Sequence, residues 1–98
     1  MNKGREIVWT SQFKKDYKLA MKRNKDTSLI DDCIRTLAAR KELDPKFRDH
    51  DLAGNWNGHR ECHIQPDRLL VYRIEGGDLI LVLSLFFLPA APYSDRMF

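Results

Sequence analysis

Two cysteines in 98 residues, Cys33 and Cys62, are too few for a disulfide framework, and both stand in apolar patterns. Buried thiols in a reducing compartment are therefore expected, and the cytoplasm is the expected location. No Cys-x-x-Cys pair occurs, which removes the commonest zinc signature. The opening stretch MNKGREIVWT lacks the apolar core of a secretory leader, so no signal peptide is expected. The longest apolar run, Leu79 to Leu88 (LILVLSLFFL), is roughly half of what a bilayer crossing needs and reads as a buried strand. Repeats, linkers and low-complexity tracts are missing too, so residues 1–98 read as one domain with no membrane association. Acids are scarce in one place: between Lys14 and Lys25, the cations Lys14, Lys15, Lys18, Lys22, Arg23 and Lys25 meet only Asp16. That segment is either a solvated helix face or a surface for an anionic partner.

What is present has a clear order. EIVW before Thr10 and Ser11 reads as a first strand handing over to a helix, because either hydroxyl can accept from an orphan N–H of the first turn. Phe13, Tyr17, Ala20 and Met21 then recur at helical spacing. NKDTS breaks that helix, and Asp26, Thr27 or Ser28 caps a second whose apolar stripe runs through Ile30, Cys33, Ile34, Leu37 and Ala38. After Pro45 the period becomes that of a strand. HRECHIQ places Cys62 and Ile64 on one face and His59, Glu61, His63 and Gln65 on the other. Pro66-Asp67 and Gly76-Gly77 mark two hairpin turns joining this strand to LLVYRI and then to the apolar run. The expected fold is α+β in the order β-α-α-β-β-β. Two N-terminal helices cover one face of a four-stranded, mostly antiparallel sheet, and the histidines lie on the open face.

All three histidines, His50, His59 and His63, fall within 14 residues, among Asp49, Asp51, Glu61 and Asp67. On a strand, His59 and His63 stand roughly 13 Å apart at about 3.3 Å per residue, too far to share a zinc, so no metal is expected. Acid–base chemistry suits the group better, since imidazole exchanges protons near neutral pH and a carboxylate can fix its tautomer. His63, with Asp67 across the turn and His50 from the preceding loop, can converge on one substrate. Arg60, Arg68 and Arg73 add charge suited to phosphate. Such a set can deprotonate a ribose 2′-OH, protonate the leaving 5′-oxygen and stabilise the phosphorane without metal or cofactor.

The segments Trp9 to Lys18 (WTSQFKKDYK) and Asp49 to Ile74 (DHDLAGNWNGHRECHIQPDRLLVYRI) carry a resemblance to the YafQ-type toxins of the RelE superfamily, extending over about residues 5–83. The resemblance implies a bacterial type II toxin: a ribosome-dependent, metal-independent endoribonuclease acting on mRNA, neutralised by a cognate antitoxin and touching operator DNA only through the antitoxin complex. It carries the family's catalytic positions to His50, His63 and Asp67. Gly54 and Gly58 match turn positions, Trp56 matches an aromatic one, and His59 takes a supporting role. Lys14, Lys15, Lys18, Lys22 and Arg23 resemble a ribosomal-RNA-facing surface. Two departures stand out. Arg68 replaces the Trp usual after the motif's Asp, and the family's histidine-bearing tail is replaced by FFLPAAPYSDRMF, with Tyr93 near the missing His and Phe98 at the end. A family member acting mainly by binding antitoxin or ribosome is the alternative reading.

Overall fold

The structure, a computed structural model, describes residues 4–86. Its elements are β1 (Glu6–Trp9), α1 (Ser11–Lys22), α2 (Ser28–Ala38), β2 (His50–Asp51), β3 (Arg60–Gln65), β4 (Arg68–Glu75) and β5 (Asp78–Phe86), with 3₁₀ turns at Pro45–Phe47 and Gly54–Trp56. The α+β arrangement of two helices on a sheet is as expected. The sheet has five strands rather than four, in the order β1-β5-β4-β3-β2. The added strand is β2, which pairs only His50 with Glu61 and Asp51 with Arg60. A two-residue strand has no alternation to read, which is why it escapes pattern analysis.

Local chemistry sets the boundaries. Thr10 caps α1, its hydroxyl accepting from Phe13 N–H at 3.1 Å and donating to the β5 carbonyls of Leu81 and Val82. Asn24, at φ 58°, turns the chain out of α1, and Lys25 N–H closes on the Ala20 carbonyl. Asparagine is among the few non-glycine residues that tolerate this left-handed backbone. At α2 the N-cap is Thr27, and the Asp26 carboxylate accepts from Ser28 N–H.

The core fills one side of the sheet. Phe13, Ile30, Cys33, Ile34 and Leu37 from the helices meet Cys62, Ile64, Leu70, Tyr72, Leu79 and Leu81 from the strands. Burying each such side chain stabilises the fold by about 1.5–3 kcal/mol. Tyr17 hydroxyl donates to Asp31 at 2.8 Å, locking the helices together. β4 is buried on both sides: Leu69 and Val71, which alternate with core residues, are each 1% exposed. The second face is therefore not open along its length. β1 runs parallel to β5 at the opposite edge, where Ile7, Val8 and Trp9 stay about 40% exposed.

Candidate active site

Strand geometry assembles the site. Glu61 and His63 are two apart on β3 and share a face, and His50 on β2 stands directly opposite Glu61. The imidazole Nε2 of each histidine lies 3.4 Å from Glu61 Oε1, and the two rings stack with centroids 5.9 Å apart. Glu61 is fully buried, and neither carboxylate oxygen has a hydrogen-bond partner among the described residues.

Hydrogen-bond roles follow from these contacts. His50 Nδ1 donates to the Arg48 carbonyl at 2.6 Å; a carbonyl can only accept, so Nδ1 carries the hydrogen. The lone pair of a neutral His50 would then face a carboxylate oxygen. At 3.4 Å this is an electrostatic contact rather than a hydrogen bond, attractive when the imidazole is protonated and the carboxylate ionised. Burial pushes the Glu61 carboxyl up, and the charge of His50 partly opposes this. Burial, then the charges of His50 and Arg48, push the His63 imidazole down. His63 Nε2 lies 3.4 Å from Glu61 Oε1 without forming a hydrogen bond, and no hydrogen-bond partner of His63 Nδ1 occurs among the described residues.

A second network positions the strand that carries His50. Tyr72 hydroxyl donates to Asp49 Oδ1 at 2.7 Å, while Arg60 reaches Asp49 at 3.3 Å and Asp51 at 2.6 Å. These contacts tie both neighbours of His50 to β3 and β4. Beside His63, a cleft of about 610 Å³ opens between the 3₁₀ turn at Pro45–Phe47 and the β3–β4 hairpin.

Sequence reasoning brought together two of the three central groups and chose a different carboxylate. Asp67 stands in the hairpin turn and is not part of the cluster; the carboxylate between the imidazoles is Glu61. The i, i+2 spacing of Glu61 and His63 was the available signal. The three arginines do not gather at His63. Arg60 is held by Asp49, Asp51 and Tyr72. Arg68, expected to meet RNA, is 1% exposed, because it shares the helix-side face of β4 with Leu70 and Tyr72 and donates to the Asp26 carbonyl. Arg73 pairs with Glu75. The cations beside His63 are instead Lys46 and Arg48. His59 packs edge-on against Trp56 with ring centroids 5.4 Å apart, a structural place for it. Lys14, Lys15, Lys18, Lys22 and Arg23 are all exposed on or just after α1. Tyr93 and Phe98 lie outside the described residues. The described part contains no helix long and apolar enough to cross a membrane.

The model of the family of bacterial toxins of type II toxin-antitoxin systems, YafQ, matches residues 5–85. The mRNA interferase toxin YafQ of Escherichia coli K12 is 37% identical over 71 residues, covering 71% of this chain and 77% of that protein. A copper-bound mutant toxin from Helicobacter pylori superposes with a TM-score of 0.80 at 36% identity, covering 84% of this chain and 93% of that one. The toxin chain of the E. coli DinJ-YafQ toxin-antitoxin complex gives 0.77 at 32% identity, covering 85% and 92%. Sequence, fold and extent agree, and the chain belongs to the YafQ family of type II toxin-antitoxin toxins.

Proposed function

We propose that this chain is a ribosome-dependent endoribonuclease that cleaves mRNA by acid–base chemistry. The observation that carries the reading is the pair of partly exposed imidazoles, His50 and His63, each with Nε2 3.4 Å from the buried Glu61 carboxylate. His63 Nδ1 takes the proton of a ribose 2′-OH, and the negative charge of Glu61 lies beside the ring. Protonated His50 supplies the leaving 5′-oxygen, and until that transfer its charge offsets that of the phosphorane. Asp67, at the rim of the hairpin, meets the substrate rather than the histidines. The exposed lysines of α1 face the ribosome in the cytoplasm. A cognate antitoxin, as DinJ is for YafQ in the E. coli complex, restrains the toxin and carries it to operator DNA. In a purified ribosome system the protein should cut message during translation and His63→Ala should not. Intact message with the unaltered protein would reject the enzymatic reading and leave antitoxin or ribosome binding as the function.

A second reading rests on the donor set. His50, Glu61 and His63 each offer one ligand atom, all within 4.8 Å of one another, and two imidazoles with a carboxylate suit a late first-row divalent ion. The H. pylori relative is copper-bound. A bound ion would supply Lewis-acid stabilisation of a phosphate oxygen. Cleavage that persists in chelator supports the first reading; loss restored by added copper or zinc supports the second.

A further inference from the structure

The cleft beside His63 has the makings of a nucleoside subsite, and this inference rests on the RNA-cleavage reading. β3 pairs with β4 along its length, but β2 covers only Arg60 and Glu61 on the other edge. The His59 carbonyl accepts from Leu52 N–H at 2.9 Å on that edge. Backbone groups two residues apart turn the same way, so the N–H and C=O of His63 face outward just past the end of β2. The cleft occupies the gap that β2 leaves. Its volume of about 610 Å³ falls in the range of small-molecule sites, roughly 300–1,000 Å³.

The lining is divided as a nucleotide is divided. Leu29, Phe47 and Pro66 give apolar surface for the flat face of a base, and Lys46 Nζ rests 5.2 Å over the Phe47 ring, so that a cation now holds the place a base would take. Lys46 and Arg48 give two cations for phosphate. Gln65 offers both a donor and an acceptor to a base edge. His63 forms the wall nearest the chemistry. We propose that this cleft binds the nucleoside flanking the scissile phosphate, stacking its base on Phe47 and Pro66, reading its edge through Gln65, and holding its phosphate with Lys46 and Arg48. Base preference at the cut site is then a property of this cleft, while the chemistry belongs to His50, Glu61 and His63.

Two measurements on the full chain test this. A trinucleotide RNA with a 2′-O-methyl group at the cut position, titrated into ¹⁵N-labelled protein, should shift the amides of Lys46, Phe47 and Gln65 before others; Lys46→Ala and Gln65→Ala should each weaken binding about tenfold. In the ribosome system, Gln65→Ala should broaden the set of cut positions, whereas Lys46→Ala should lower cutting evenly at all of them. Shifts confined to other surfaces, or an unchanged cut pattern in Gln65→Ala, would overturn the subsite while leaving the nuclease reading intact. Binding in the cleft by a protein that leaves message whole would overturn the nuclease reading and keep the subsite. Thermal melts of both variants separate these outcomes from misfolding.

Discussion

His50 and Glu61 face each other across the β2–β3 pair with Nε2 3.4 Å from Oε1, and the carboxylate between the two imidazoles is fully buried. Glu61→Gln should lower message cleavage by about 10²–10⁴, because the two imidazoles lose the negative charge that lies between them. The same change should raise stability at pH 8. Burial holds the folded pKa of Glu61 above its unfolded value, so its ionised form detracts from folding at high pH and this burden fades as pH falls. The gain is read as a higher Tm at pH 8 that narrows in melts at lower pH.

His63 should set the acid limb of the kcat/KM profile. Its pKa lies below 6.5 through burial and the charges of His50 and Arg48, so the neutral base survives to more acid pH than an ordinary histidine. Arg48→Ala removes one of those charges and should move the limb upward toward 6.5. A limb that stays in place in this variant would show that another group titrates there.

The Asp49 carboxylate anchors the His50 strand through Tyr72 and Arg60. Asp49→Ala leaves a buried hydroxyl without its acceptor and should cost about 1–3 kcal/mol in denaturant unfolding. Tyr72→Phe removes one partner without stranding a charge and should cost about 1 kcal/mol. Both should reduce kcat by loosening His50, with the acid limb unmoved.

Arg68 should behave as a structural residue. Its side chain lies on the helix side of the sheet and donates to the Asp26 carbonyl at 3.0 Å, so Arg68→Ala should destabilise by about 2–5 kcal/mol through lost packing and the cavity left behind. At temperatures where the variant remains folded, its RNA affinity should match that of the unaltered protein.

The exposed cations of α1 lead to a salt-dependence experiment. Replacing Lys14, Lys15 and Lys18 by Glu should weaken ribosome binding, and each lost phosphate contact should flatten the plot of log affinity against log salt by roughly one unit.

Long periodic elements were legible from residue order alone. EIVW, the Thr10 cap and the stripe from Ile30 to Leu37 are where pattern analysis puts them, since each is set by local propensity and one buried face. The site was legible in part. Alternation places Glu61 and His63 together, but only tertiary pairing delivers His50 opposite Glu61, through a strand too short to carry a period. Asp67 drew notice by its nearness to His63 in sequence, whereas the pleat selects Glu61. The burial of Arg68 was hidden for a related reason: charge suggests solvent, and only the alternation of β4 reveals that its side chain follows Leu70 and Tyr72 under the helices.

β1 offers a final consequence. Among the described residues it pairs with β5 alone, and Ile7, Val8 and Trp9 stay about 40% exposed along it. An edge strand carrying exposed apolar side chains is a template for strand addition from another molecule. That margin is therefore where unaccompanied protein should first self-associate, and a charge placed at Val8 should raise the concentration at which light scattering sets in.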